Sequence, residues 1–296
     1  VPPAAQSGLA PDGPVPAESA PLESATALAA RLDALTAGHG RRRRACDNWL
    51  VLEHPAMPTL PHGWKLHISS RPELLAGVLD LVIPVLLRYT CDAKFAAGAR
   101  ELRELNLGRR NPAAVGKAIT VYPRPSDVAR LGAELAGVLV GWPGPRVPSD
   151  RQVRSDAPVY YRYGPIHAAA PASGSADPAV AFTLLGPDGQ TFPGAATTGY
   201  RQPPWVVDPF PAAVPAPPTS LRLGFGRYQV TAGIVRAPHG NVYRAVDTTD
   251  GREVVLKQAH AHVAEDMAGV DARGRLRHEH EVLRALADID GVPQAV

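Results

Sequence analysis

The alternation of apolar and polar residues in Gly-Trp-Lys-Leu-His-Ile-Ser, residues 63–69, predicts an extended strand in which Trp64, Leu66 and Ile68 share a buried face while Lys65, His67 and Ser69 share the other. "WLVLEHP" upstream reads as a second strand, with a turn near Pro61 to Gly63 between the two. Ser70-Arg71-Pro72-Glu73 fits a capping box, and it opens a core helix that turns Leu74, Leu75, Val78, Leu79, Val82 and Ile83 inward until Pro84 kinks or ends it. "TCDAKFAAG" then brings Lys94 in on a strand or tight loop, after a passage that can return the chain beside His67. "GKAITVYP" is a β-rich segment ending at Pro123, and Ser126 is placed to cap a helix running to about Leu139. "APVYYRYGPI" reads as a further strand with Tyr160 and Arg162 on one face and Val159, Tyr161 and Tyr163 on the other.

The flanking segments divide the chain. Residues 1–21 have the composition of a mobile tail, and "ESATALAARLDALTAG" has the spacing of a short surface helix that stops at Gly38. The run Arg41 to Arg44 reads as a solvated charge cluster complementing the carboxyl end of that helix, with a docking surface for an acidic peptide as the alternative. "AAAPASGSADPA" looks like a flexible insert, followed by a hairpin about Pro187-Asp188-Gly189 and an ordered stretch, "GYRQPPWVVDPF". The proline-rich residues 211–220 mark a domain boundary, with a main domain over 22–210, a linker over 211–223 and a second domain over 224–296. That second domain shows three short strands, turning at Gly240 and at Asp250-Gly251, and then an amphipathic helix, "DARGRLRHEHEVLRALADI".

Composition narrows the classes without choosing a partner. A chain of 296 residues with 45% apolar content can bury a real core, while many of its 32 prolines sit with Ala, Ser and Gly in stretches without helical or strand period, which read as tails and linkers. A net charge of +3 does not imply nucleic acid and suits a small anionic substrate equally well. Cys46 and Cys91 form no CxxC pair, which argues against a disulfide framework or structural zinc and makes a reducing cytoplasm the natural compartment. The amino end lacks the pattern of a secretory signal, and the apolar run Leu74 to Leu87, broken by Asp80 and Pro84, is too short to span a membrane. His260 with His262 and His278 with His280 are two apart, about 200 degrees around a helix, so neither pair grips a metal from one helical face.

Taken together, "GWKLHIS", "DAKF", "GKAITVYP", "YYRYG" and "YRQPPW" resemble the amino-terminal lyase domain of class III lanthipeptide synthetases over about residues 45–210. Class IV synthetases and the secreted phosphothreonine lyase effectors are more distant relatives. The resemblance implies an α+β domain with an antiparallel sheet and helices, acting on a phosphorylated precursor peptide without metal or other cofactor. It implies Lys94 as general base and His67 as general acid. Lys65, Lys117, Arg162 and Arg201 would hold the phosphate, with Arg110 and Tyr122 second in rank; Arg109 in "GRRNP" is an equal choice to Arg110. Such chemistry needs a neutral amine to take a weakly acidic Cα proton and cations with an acid to expel a dianionic leaving group. Arginine serves because its planar fork grips two phosphate oxygens and keeps its charge.

The second domain resembles the start of a protein kinase: Gly240 and Val242 at the end of a glycine loop, Lys257 in "VVLK" as the phosphate-binding lysine, and Glu279 as its helix partner. Val235 and Ala237 stand where the pattern wants its first two loop glycines. A complete kinase of this type would use ATP or GTP with Mg2+; this chain reaches Val296 with no HRD-type loop or DFG, so it is expected to lack kinase activity by itself. Two rival expectations are a phosphopeptide- or leader-binding module that does not turn over, and a regulatory piece of a serine/threonine kinase. Oligomeric state, precursor identity and the preference between serine and threonine are not encoded in any motif.

Overall fold

A computed structural model describes residues 24–109, 111–166, 183–195, 199–211 and 221–295. The tail, the central part of the insert, the linker proper and Arg110 lie outside the described residues.

The expected segments become β2 (Trp49–Glu53), β3 (His62–Ile68), β4 (Cys91–Ala96), β5 (Ile119–Pro123) and β7 (Val159–Pro165), and two strands not expected from the sequence, β1 (Arg42–Cys46) in the arginine run and β6 (Arg151–Gln152), join them. They form one seven-stranded sheet in the order β1-β2-β4-β5-β3-β7-β6, antiparallel at every pairing. One face carries the apolar set Leu50, Leu52, Leu66, Ile68, Phe95, Ile119, Val121, Val159 and Tyr161. Helices α1 (Ala25–Thr36), α2 (Leu75–Leu86) and α4 (Val128–Val138) bury Leu28, Leu32, Val78, Leu79, Val82, Ile83, Leu131 and Leu135 in the same core. Helix α3 (Ala99–Leu107) lies between β4 and the turn that leads to β5. Period-two alternation leaves Lys65, His67, Lys94 and Arg162 on the face opposite the helices.

Three local expectations are corrected. Ser70 does not cap: its hydroxyl donates to the Arg71 carbonyl at 2.8 Å, and Pro72–Leu74 form a 3-10 turn before α2 begins at Leu75. Pro72 fits that first turn because it needs no amide partner there. Pro84 sits inside the last turn of α2, which closes two residues later. Likewise Pro125–Asp127 form a 3-10 turn, so α4 starts at Val128 with no Ser126 cap.

The arginine run is only in part the expected solvated complement to α1: Arg43 reaches Asp33 in the last turn of that helix and Arg42 and Arg44 stay exposed, whereas Arg41 turns to a different helix. Arg41 donates to the carbonyls of Tyr89 at 2.6 Å, Cys91 at 2.7 Å and Leu86 at 3.0 Å, closing the carboxyl end of α2 instead of α1. Arg43 pairs with Asp33, and Arg42 and Arg44 share Glu53.

The hairpin about Pro187 forms from β8 (Thr183–Leu185) and β9 (Thr191–Pro193). The carboxyl-terminal lobe is a four-stranded antiparallel sheet, β10 (Arg222–Leu223), β11 (Tyr228–Ala237), β12 (Gly240–Asp247) and β13 (Glu253–Ala259), followed by α5 (Ala272–Ala285). Asp271 caps α5 by accepting from the amides of Arg273 and Gly274. This lobe meets the main domain through Arg71, which donates to Glu265 at 2.8 Å, and through the Ala264 amide, which donates to the Asn106 carbonyl at 3.2 Å.

Arg41→Ala strips three carbonyls of a charged donor and is expected to destabilise the domain by about 2–3 kcal/mol in urea denaturation, whereas Arg42→Ala, on an exposed ion pair, changes it by less than about 0.5 kcal/mol.

Candidate active site

Antiparallel register draws a line of paired residues across the middle of the sheet: Val51, Lys94, Thr120, His67 and Tyr160. Lys65 pairs with Arg162, and Asp92 with Tyr122, one step along. Directly opposed residues point to the same face, so Lys94 and His67 flank Thr120 on the polar side, two strand spacings or about 10 Å apart at Cα.

Two turns complete the cluster. Gly116, at a φ of +76°, makes the bend that delivers Lys117, and a Cβ there would sit 2.9 Å from Val147 and 3.0 Å from the Pro145 carbonyl. The Asn106 side chain holds the bend by accepting from the Gly116 amide at 3.1 Å and donating to the Ser70 carbonyl at 3.3 Å. The second turn ends at Asp150, whose carboxylate meets His67 Nδ1 and lies 3.7 Å from Lys117 Nζ. Ser149 donates its hydroxyl to the other carboxylate oxygen of Asp150 at 2.6 Å. Asp150 and Ser149 are absent from the sequence reading; an aspartate 83 residues from its histidine carries no local signal.

The cluster holds more positive than negative charge. Burial, then the charges of Arg162, Lys117 and Lys94, bring the Lys65 amine down to about 7. Burial also lowers Lys94 and Lys117, the latter against the pull of Asp150. Burial depresses the His67 imidazolium, with Asp150 opposing and Lys117 and Lys65 adding to the effect. Burial favours the neutral acid of Asp150, but His67 and Lys117 outweigh it and keep the carboxyl ionised below its ordinary range. Lys94 Nζ stands 4.3 Å from the centroid of the Trp49 ring, a second group outside the sequence reading. Lys65 Nζ is 5.8 Å from the Tyr122 ring, whose hydroxyl burial pushes up to about 12. Arg162, buried, donates to the Gly194 carbonyl at 2.9 Å, which fixes its guanidinium.

Six of the expected residues therefore gather at one face of the sheet: Lys65, His67, Lys94, Lys117, Tyr122 and Arg162. Arg201 is exposed and stacks 5.2 Å from the Phe192 centroid, and no contact ties it to the cluster among the described residues. Arg110 lies outside the described residues, and Arg109 lines the cleft toward the carboxyl-terminal lobe. In that lobe Lys257 Nζ contacts the Glu279 carboxylate. Gly240 starts β12 where a Cβ would fall 2.1 Å from the Gln258 carbonyl, so the neighbouring strand demands glycine there.

A family model described as RamC, N-terminal domain, matches residues 29–220. The chain belongs to that family. The RamC-type match covers every residue of the cluster and stops where the carboxyl-terminal lobe begins. The probable SapB synthase of Streptomyces coelicolor is 33% identical over 265 residues, covering 87% of this chain and 28% of that protein. The chain thus spans little more than a quarter of that relative's length. Two solved structures are similar in part. The VirA (SpvC) phosphothreonine lyase effector of Chromobacterium violaceum is 18% identical, covers 42% of this chain and 65% of its own, and has a TM-score of 0.34. The phosphothreonine lyase OspF of Shigella flexneri is 14% identical, covers 49% and 77%, and has a TM-score of 0.36.

Because the folded Lys65 value, about 7, lies below the ordinary 10.5, the unfolded chain binds the extra proton between those limits. Stability from this residue is therefore lowest below pH 7 and recovers as pH rises. Relative to Lys65→Met, the wild type is expected to gain about 1 kcal/mol per pH unit between pH 7.5 and 9 in chemical denaturation.

Proposed function

We propose that this domain eliminates phosphate from phosphoserine and phosphothreonine in a ribosomally made precursor peptide, leaving dehydroalanine and dehydrobutyrine during lanthipeptide synthesis. The observation that carries the reading is the shared cluster: a lysine and a histidine on opposite sides of Thr120, with Lys65, Lys117 and Arg162 gathered beside them. Membership in the RamC family and the likeness to a SapB synthase support the same chemistry.

Lys94 acts as the base. Burial favours its neutral amine, which takes the Cα proton as the Cβ–Oγ bond breaks and its electron pair leaves on the phosphate oxygen. His67 acts as the acid. In the free site its imidazole is held neutral by burial and neighbouring cations, and an arriving phosphate dianion reverses that balance by cancelling the charge of Lys65, Lys117 and Arg162. The imidazolium then forms with Asp150 on Nδ1, leaving Nε2 to protonate the departing oxygen. Asp150 is a positioning residue: it fixes the ring and steadies its charge. The products are the dehydrated residue and hydrogen phosphate. No cofactor enters these steps, and the peptide substrate is the partner this reading requires.

For the carboxyl-terminal lobe, the contact between Lys257 and Glu279 beside Gly240 supports a protein-kinase amino-terminal lobe, which in a longer protein would use ATP or GTP with Mg2+ to make the phosphopeptide. Among the described residues no helix is long and apolar enough to cross a membrane.

A synthetic phosphopeptide incubated with the chain and no nucleotide is expected to lose about 98 Da per phosphorylated residue, the mass of phosphoric acid; an unchanged mass spectrum overturns the assignment in favour of a binding module. Lys94→Ala should abolish the loss while phosphopeptide affinity changes by less than about fivefold, because the base contributes to the transition state more than to binding. Asp150→Asn should lower kcat by about 100-fold and shift the acidic limb of its pH profile, while KM changes little; an unshifted limb would leave Asp150 with a structural role only.

A further inference from the structure

Two cavities open between the main domain and the carboxyl-terminal lobe. The larger, about 780 Å³, is lined by Leu107, Gly108 and Arg109 on one side and by Gly240, Lys257 and Glu279 on the other. The smaller, about 450 Å³, is lined by Asn111, Arg146 and Ser149 of the main domain and by Arg236, Asn241 and His260 of the lobe. Pro238 and Asn241 line both, so the two cavities adjoin.

The smaller cavity has a one-sided charge. Arg146 and Arg236 approach it from opposite lobes, and no aspartate or glutamate lines it. Neither arginine forms an ion pair among the described residues. His260 is already engaged: its Nδ1 meets the Pro238 carbonyl at 2.9 Å and its Nε2 meets the Asn241 amide nitrogen at 3.1 Å, which suits a neutral ring. Two guanidinium groups that line one cavity, neither of them ion-paired among the described residues, suit an anion with several oxygens. Position supplies the rest. Ser149, on the wall of this cavity, donates to the same Asp150 carboxylate that holds His67. The adjoining larger cavity is lined by Lys257 and Glu279, which contact each other. The cavity therefore lies between the place where a phosphate would be added and the place where one would be removed.

We propose that Arg146 and Arg236 form a second anion site, which grips a phosphoseryl or phosphothreonyl side chain of the peptide while a different phosphorylated residue occupies the elimination centre. The proposal rests on the elimination reading for the identity of its ligand, but its test does not require turnover. A labelled peptide carrying two methylene-phosphonate analogues of phosphoserine, in which a carbon–carbon bond replaces the Cβ–Oγ bond that elimination breaks, is titrated by fluorescence anisotropy against one carrying a single analogue.

The intact chain should bind the doubly modified peptide about tenfold more tightly, since the second anion is delivered at high effective concentration. Arg236→Glu should reduce that advantage below about twofold while affinity for the singly modified peptide stays within about twofold, and Arg236→Lys should retain most of the advantage. Arg236 is exposed, so an unchanged thermal midpoint in the glutamate variant verifies folding. Equal binding of the two peptides by the wild type, or an equal loss for both in Arg236→Glu, overturns the proposal. So does a result in which inorganic phosphate binds in an Arg236-dependent way but the second phosphonate adds nothing, which would make the cavity a seat for free phosphate. If the wild type eliminates nothing from an authentic phosphopeptide yet shows the tenfold advantage, the elimination reading fails and the second anion site stands.

Discussion

Burying several like charges around one carboxylate is the constraint on which the rest of the structure depends. Lys65, Lys94 and Arg162 stand on one face of a sheet, Lys117 joins them from a turn, and the Asp150 carboxylate answers Lys65, Lys117 and Arg162. Charges taken out of water in this way oppose folding. The opposite face makes that tolerable, since Leu66, Ile68, Phe95, Ile119, Val121 and Tyr161 are all fully buried under three helices. Each strand thus contributes to both sides of the balance, stabilising the fold with one set of side chains and loading the site with the other. A bound dianion relieves the second set.

The residues that shape the cluster also join it to the neighbouring lobe. Asn106 holds the Gly116 bend that presents Lys117, holds the Ser70 carbonyl at the end of the His67 strand, and accepts from Ala264 of the lobe. Arg71, one residue further on, bonds Glu265, whose carboxyl burial and the nearby Glu73 raise to about 7. Ser69 donates its hydroxyl to the Pro145 carbonyl at 2.6 Å, tying the loop that carries Asp150 to the same strand end. The cluster and the junction therefore rest on one set of short connections, and a shift in one reaches the other through few bonds.

Much of this was legible in short stretches. Trp64, Leu66 and Ile68 against Lys65 and His67 define a strand with one buried face, and "VYYRYG" repeats the pattern, because a side-chain period of two is a property of the local backbone. The pairing of Lys257 with Glu279 followed from resemblance to an ordered motif. Helix starts were misread where Pro72 and Pro125 impose a 3-10 turn ahead of the helix, so that neither Ser70 nor Ser126 finds free amides to cap. Arg41 was misread for another reason: the carbonyls that it satisfies belong to residues 45 to 50 positions away.

By itself the sequence determined which residues lie on which face of each strand, because that depends on neighbours within a few positions, and the family to which the cluster's motifs belong, because several short motifs recur in one order. Tertiary structure alone decided that Thr120 stands between Lys94 and His67, that Asp150 rather than a more local acid supports the imidazole, and that Arg146 and Arg236 line one cavity from opposite lobes. These follow from strand order and from loops closing over long separations, where the free energy of packing the whole core selects one register among many and no short stretch of chain encodes the choice.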